Sequence, residues 1–253
     1  MPSYDFRTPR LFVDAPLAEG AEVPLDRNQA NYLLNVLRAK RGEQVLLFNG
    51  RDGEWEASLA GAGRRAASLT VGSCLRAQPP AGDLHFLFAP LKHARLDYMV
   101  QKAVEMGAST LQPIITQHTQ VTRINLDRMR SNVVEAAEQC GVLNLPHVAD
   151  AVPFDRVGDD VDRLLIFCDE DADLTDPVAA LRAAQLTPGQ PLAVLIGPEG
   201  GFSEKERAAL LKLPKVVQLA LGPRILRADT AAVAALALVQ AVVGDWQHPA
   251  GKM

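Results

Sequence analysis

The chain has 253 residues, 48% of them hydrophobic and 22% charged, so it is long enough to bury a substantial core and to form two domains. The formal net charge of -4 argues against indiscriminate nucleic-acid binding, and the acidic excess lies after residue 80. The cysteines are widely spaced without a C-x-x-C pair, and the histidines form no H-x-x-x-H pair, so we expect no disulfide framework and no metal site. A signal peptide and a membrane span are also not expected, which predicts a cytoplasmic protein.

Residues 1–76 consist of short β-rich segments separated by glycine-containing turns. One helix is predicted at 28–38, with Leu33, Val36 and Leu37 on its apolar face. Short strands with one helix predict a small closed β-barrel. Arg38 at the end of the helix forms a basic cluster with Lys40 and Arg41, of the kind that contacts phosphates. A solvated rim on a β-domain is the alternative interpretation of this cluster.

A proline-containing linker at 77–83 separates this domain from a second one at 84–253. Beyond the linker, apolar runs of strand length alternate with amphipathic helical patterns. The predicted strands are 84–89, 111–116, 164–168, 192–196 and 216–221. Such alternation predicts an α/β domain with a parallel sheet and helices on both faces.

Two of these strands end in glycine loops. The strand at 192–196 is followed by Gly197–Gly201, and Ser203 with Glu206 then forms a capping box that begins a helix. The strand at 216–221 is broken by Gly222, and Asp229 or Thr230 is expected to cap a last helix. We expect the two strand ends to lie side by side and to form a ligand crevice.

The chemistry of the first loop limits the ligand. The loop fits neither G-x-x-x-x-G-K-[ST] nor G-x-G-x-x-G, and Glu199 would repel an anion. Backbone groups with one carboxylate suit a neutral or cationic ligand that carries a flat ring. A tight turn with Glu199 on the surface is the alternative interpretation.

The segments IGPEGGFSEKE and LGPRILRADTA together resemble the RsmE family of ribosomal RNA methyltransferases, which belong to the SPOUT class and use S-adenosyl-L-methionine. Further similarities lie at 10–12, 36–38, 101–107 and 135–139, so the resemblance covers essentially the whole chain. It implies a PUA-like RNA-binding β-barrel in 1–76 and a SPOUT-like parallel sheet with a C-terminal trefoil knot in 84–253. It also implies a homodimer that methylates N3 of a uridine in 16S ribosomal RNA, within an assembled small subunit.

The resemblance further implies individual site residues. Main-chain groups of the two loops would bind the cofactor, at Ile196, Gly197, Glu199, Gly200, Leu219, Leu221, Gly222, Ile225, Leu226 and Ala228. Arg227, expected to be buried at a strand end, is the candidate catalytic residue, because a guanidinium stabilises negative charge developing on a uracil or holds a phosphate. A salt bridge to Asp229 is the alternative role of Arg227. Candidate RNA contacts are Arg10, Arg38, Lys40, Arg41 and Arg123.

Two other functions stay open at this point. A ribose 2′-O-methyltransferase of the same class is one, although the N-x-G-x-x-x-R motif of those enzymes does not occur at 101–107. A non-enzymatic RNA-binding protein with a vestigial pocket is the other, and a cofactor-binding measurement would distinguish it. The helix pattern at 231–243 is apolar on every side, which predicts burial against a second subunit. Burial by the chain's own sheet and helices is the alternative.

Overall fold

The computed structural model describes residues 7–62, 67–92, 94–121, 123–160, 162–172, 176–184 and 190–247. The chain divides into two units, residues 1–80 with 137–145 and residues 81–136 with 146–253. The predicted second domain includes 137–145, whereas hydrogen bonds tie this segment to the first unit. Arg76 donates to the carbonyl oxygen of Gly141 at 3.0 Å, and Gln78 donates to the side chain of Asn144 at 2.6 Å.

The first unit contains one curled sheet. Its strands are β1 (Arg10–Phe12), β2 (Glu22–Pro24), β3 (Gln44–Phe48), β4 (Glu54–Ala62) and β5 (Ala67–Arg76), in the order β1-β3-β4-β5-β2. β1 and β3 are parallel and the other pairs are antiparallel. No pairing joins β1 to β2 among the described residues, so the sheet is a half-barrel and not the closed barrel predicted. Its inner face buries a cluster of aliphatic side chains from the strands.

The helix of the first unit differs from the predicted one. Helix α1 (Arg27–Asn31) begins at a capping box made by Asp26 and Gln29, and it continues as a π-helical turn at Tyr32–Val36. Leu33 is buried in the half-barrel core, but Val36 and Leu37 are exposed, contrary to the predicted apolar face. The wider π-helical turn changes the angular spacing of the side chains, so an α-helical period misplaces these two residues.

The second unit contains a parallel sheet of seven strands. They are β6 (Leu84–Phe88), β7 (Thr110–Ile115), β8 (His147–Val148), β9 (Val152–Pro153), β10 (Leu164–Cys168), β11 (Leu192–Ile196) and β12 (Val216–Leu219). Their order is β12-β10-β11-β6-β7-β8, and β9 also pairs with β7. The helices are α2 (Ala94–Glu105), α3 (Leu126–Cys140, its last turn in the first unit), α4 (Pro177–Ala183), α5 (Glu204–Leu210) and α6 (Ala228–Val243). Because the strands are parallel, their carboxyl ends share one edge of the sheet.

The order of these strands corrects one prediction. β11 and β12 were expected to be neighbours, but β10 lies between them and pairs with both. The order of parallel strands depends on the crossover connections and not on sequence order. The loop after β10 therefore joins the two glycine loops at the same edge.

The helix starts were predicted with mixed success. The capping box of α5 is confirmed, because the Ser203 amide donates to the Glu206 carboxylate at 2.9 Å and the Glu206 amide donates to Ser203 Oγ at 3.4 Å. The predicted cap of α6 is wrong. Arg227 occupies the N-cap position without a side-chain hydrogen bond, and Asp229 lies inside the first turn. There its carboxylate complements the positive end of the helix dipole.

Among the residues that the structure describes, none of the helices combines the length and hydropathy that a membrane span needs.

Candidate functional site

A cavity of about 410 Å³ opens at the carboxyl edge of the parallel sheet. It is formed by the loops that follow β10, β11 and β12, together with the first turn of α6. A volume of this size lies in the range of cofactor pockets. The position fits the rule that open α/β sheets bind ligands beyond the carboxyl ends of their strands.

The cofactor residues predicted from the resemblance all line this cavity, with the exception of Gly200. The lining members are Ile196, Gly197, Glu199, Leu219, Leu221, Gly222, Ile225, Leu226 and Ala228. An added Cβ at Gly200 would lie 3.4 Å from the Cβ of His118, so this position faces His118. The ring Nδ1 of His118 lies 3.1 Å from the carbonyl oxygens of Gly200 and Gly201 and holds this part of the loop.

Glycine is required more strictly at position 201 than at position 200. Its φ of +67° is a conformation that other residues rarely adopt. An added Cβ would also lie 2.6 Å from Oε1 of Glu170. Because Glu170 is exposed and its flexible side chain can move away, the positive φ is the main reason for glycine at position 201.

The loop after β10 is a part of the site that sequence reasoning missed. Residues 168–172 line the cavity, and the buried Asp169 fixes their position. Its carboxylate accepts hydrogen bonds from Arg207 Nε at 2.5 Å, Gln218 Nε2 at 2.7 Å and the amide of Asp171 at 3.1 Å. Arg207 also donates to the carbonyl oxygen of Asp171 at 3.0 Å. The available signal was the run of acidic residues directly after the apolar strand at 164–168.

Charges of both signs surround the cavity. Glu170 and Glu199 are exposed carboxylates of the lining, and Glu199 lies 3.7 Å from Arg95 at the start of α2. Arg224 and Arg227 are exposed on the β12 loop. Burial, together with the charge of Asp169, raises the pKa of Cys168 to about 12, so this thiol stays protonated at neutral pH.

Arg227 is not in the environment that the sequence predicted. It lines the cavity but is exposed, because it lies in the loop that precedes α6 and not at the buried end of β12. The structure records no ion pair between Arg227 and Asp229 among the described residues, so it gives no support to the salt-bridge role. The guanidinium is thus available at the mouth of the cavity.

The predicted RNA contacts divide into two groups. Arg38, Lys40, Arg41 and Arg123 are exposed.

Arg10 is buried, and its Nε donates to Oε1 of Glu54 at 2.6 Å, which leaves it unable to reach an RNA phosphate. Arg76 bonds the other oxygen of Glu54, also at 2.6 Å. Although burial opposes the charge, the hydrogen bonds from Arg76 and Arg10 lower the pKa of Glu54. The role of Arg10 in this structure is therefore to stabilise the first unit.

No cluster of three or more histidine, cysteine, aspartate or glutamate residues with the geometry of a metal site occurs in the part of the chain that the structure describes.

Several known proteins resemble this chain over most of its length. Residues 77–240 match the family described as RNA methyltransferase domain, and residues 25–72 match the RNA methyltransferase PUA domain. The Ribosomal RNA small subunit methyltransferase E of Rickettsia conorii is 28% identical over 232 residues, which cover 91% of this chain and 94% of that protein. The protein of the same name from Synechocystis is 30% identical over 240 residues, which cover 92% of this chain and 78% of that protein.

A solved structure with a cofactor is also similar. The crystal structure of a Ribosomal RNA small subunit methyltransferase E from Neisseria gonorrhoeae, bound to S-adenosyl methionine, matches with a TM-score of 0.82 at 26% identity. The match covers 95% of this chain and 100% of that one.

Proposed function

The chain belongs to the RsmE family of RNA methyltransferases, and we propose that it methylates N3 of one uridine in the 16S ribosomal RNA of the small subunit. It is an enzyme, and its cofactor is S-adenosylmethionine. The observation that carries the proposal is the cavity at the sheet edge, which the segments IGPEGG and LGPRILRA line together. The cytoplasm is the proposed location, and the trefoil knot stays a prediction.

The residues of the cavity fit this cofactor. The side chains of Leu221, Ile225 and Leu226 offer an apolar surface for an adenine ring, and the loop amides and carbonyls can bind its polar edge. Glu170 and Glu199 provide negative charge for a ligand that carries a positive sulfur and an ammonium group. When bound, S-adenosylmethionine supplies the methyl group on its sulfonium.

The chemistry of the chain's own residues follows from their placement. A uracil N3 becomes a nucleophile when it loses its proton, and negative charge then develops on the ring. Arg227, exposed at the mouth of the cavity, is the proposed group that stabilises this charge. Cys168 cannot accept the proton at neutral pH, since burial keeps its thiol protonated. The N3 proton passes to solvent water, and catalysis relies mainly on holding the base and the methyl group in line.

Basic residues of both units are the proposed contacts to the RNA backbone. Arg38, Lys40 and Arg41 are exposed in the first unit, and Arg123 is exposed in the second. Replacing the first three with glutamine should weaken RNA binding and reduce its salt dependence by up to about one slope unit for each phosphate that is no longer neutralised. Cofactor affinity should not change. An unaltered salt slope would show that these residues form only a solvated rim.

The active unit is proposed to be a homodimer formed through α6. The buried side of the helix includes Ala235 and Leu236, so glutamate at either position would unfold the chain and would not test assembly. Ala234, Ala237 and Leu238 are only partly covered, and they form an apolar stripe suited to close approach by a second helix. Light scattering at micromolar concentration should give twice the mass of 27.3 kDa, and Ala237→Glu should reduce it to the monomer mass. A fully active monomer would refute the dimer.

Mass mapping of ribosomal RNA tests the reaction itself. RNA from cells that lack this protein should lose one methyl group from a uridine base of the small subunit, and purified enzyme with the cofactor should restore it. Loss of a ribose methyl group would instead indicate the 2′-O activity. Calorimetry with S-adenosylmethionine provides the independent check, because a protein with a vestigial pocket would release no heat of binding.

A further inference from the structure

The outer side of α1 and its π-helical turn carries apolar side chains that the first unit leaves uncovered. Tyr32 is 41% exposed, Val36 is 62% exposed and Leu37 is 39% exposed, while Leu33 between them is completely buried. Neighbouring exposed apolar side chains of this kind mark contact sites on soluble proteins. The turn is π-helical, so residues four and five positions apart lie about one turn apart, which places Val36 and Leu37 near Tyr32.

The backbone that presents these side chains is irregular. The Leu37 amide donates to the carbonyl oxygen of Tyr32 at 2.9 Å, five residues back, as in a π-helix. Arg38 follows with a φ of +57°, and among the described residues no other non-glycine residue has a positive φ. Single π-helical turns and left-handed non-glycine residues cost energy and occur frequently at functional sites. The fold therefore maintains an unfavourable conformation where it exposes an aromatic ring.

Basic residues lie before and after Tyr32 in the sequence. Arg27, Arg38, Lys40 and Arg41 are exposed, and the structure records no ion pair to any of them within its described ranges. The nearby Glu43 carboxylate bonds the backbone amide of Lys40 at 2.7 Å. Asp26 accepts hydrogen bonds from the first amides of α1. The segment thus presents a net positive charge beside exposed apolar groups.

We propose that this segment, which we call the α1 surface (Arg27, Tyr32, Val36, Leu37, Arg38, Lys40 and Arg41), binds an unpaired stretch of RNA with one base stacked on Tyr32. A polyanion with accessible ring faces matches both properties of the surface. Bases of single strands stack on aromatic side chains, whereas the bases of a duplex are already stacked and paired. The inference rests on the proposed function, in that the enzyme acts on RNA, and it adds the conformation of the RNA that the first unit selects.

Binding of fluorescently labelled RNA by the full-length chain tests this proposal. Two probes are used, an unstructured oligouridine and an RNA duplex of the same length. The wild type should bind the oligouridine more tightly than the duplex. Tyr32→Ala should weaken oligouridine binding by about fivefold or more, which is the range for losing one base–aromatic stack. Tyr32→Phe should keep wild-type affinity, because it retains the ring.

Leu75→Ala provides a matched control, since Leu75 is another exposed apolar side chain of the first unit, 50% exposed on β5. Its affinity for oligouridine should equal that of the wild type. Circular dichroism and thermal unfolding of every variant should match the wild type, which verifies that the first unit is folded. Calorimetry with S-adenosylmethionine should also give the same affinity, because the cofactor cavity lies in the second unit. Equal binding of Tyr32→Ala and wild type, or equal binding of duplex and single strand, would overturn the inference.

The two proposals fail in different measurements. Unchanged ribosomal RNA in cells without the protein would refute the proposed reaction, whatever Tyr32 does. Methylation absent from those cells, combined with unchanged oligouridine binding by Tyr32→Ala, would refute only the stacking role of the α1 surface.

Discussion

The ion pair between Arg207 and Asp169 is the interaction through which we expect α5 to control the cofactor cavity. Arg207 Nε lies 2.5 Å from the Asp169 carboxylate, and the same guanidinium bonds the Asp171 carbonyl oxygen. Arg207→Met keeps an unbranched side chain about as long as the stem of arginine, but it removes the guanidinium with its charge and its donors. Asp169 then retains Gln218 and one backbone amide as its hydrogen-bond partners.

The size of the effect follows from burial. Removing one partner of a buried ion pair costs about 3–5 kcal/mol, and a hydrogen bond to a charged group contributes about 1.5–3 kcal/mol. The Arg207 side chain is 32% exposed, and Asp169 keeps two donors. We therefore expect a loss of about 2 kcal/mol, which lies in the range for a hydrogen bond to a charged group. If the loop at 168–172 opens before the unit unfolds, this free energy reduces cofactor affinity by up to about 30-fold.

Calorimetric titration with S-adenosylmethionine measures this reduction in affinity. Thermal unfolding measures any loss of stability of the whole second unit. Arg182→Met is the control, because Arg182 is an exposed arginine on α4 for which the structure records no ion pair in its described ranges. Its effect should stay within about 0.5 kcal/mol. A dissociation constant within about twofold of wild type, with unchanged unfolding, would refute the idea that this pair holds the loop.

Three further predictions concern single side chains. Ile225 is 87% exposed in the cavity lining, so Ile225→Ser should weaken cofactor binding without lowering the melting temperature; a stability loss without an affinity loss would contradict this. Burial raises the pKa of Glu54, but hydrogen bonds from Arg76 and Arg10 outweigh burial and lower this pKa. The ionised form of Glu54 therefore stabilises the fold at pH values above the usual glutamate pKa of about 4.3. That stabilisation is lost as the pH falls through the lowered pKa, so the melting-temperature difference between wild type and Glu54→Gln should narrow below about pH 4. Burial raises the pKa of Cys168 to about 12, so iodoacetamide at about pH 8 should label the exposed Cys74 and Cys140 before Cys168, as read by peptide mass mapping.

Much of the fold could be predicted because its signals are local. The strands β10 and β11 have the bounds that their apolar runs predict, and the capping box of Ser203 and Glu206 begins α5 as expected. Each of these features depends on residues within a few positions of one another. The glycine loops after β11 and β12 were found for the same reason, and the resemblance of their sequences identified the cofactor.

Other features depend on contacts that local periodicity does not encode. The crossover connections place β10 between β11 and β12, which brings Asp169 and its loop into the cavity. Arg10 contacts Glu54, 44 residues away, and so lies in a buried ion pair and not on an RNA-binding surface. Sequence alone thus determined the strands β10 and β11, the cap of α5 and the two glycine loops. Only the tertiary structure decided which strand ends meet and which charges are neutralised, because both depend on the packing of segments distant in the chain.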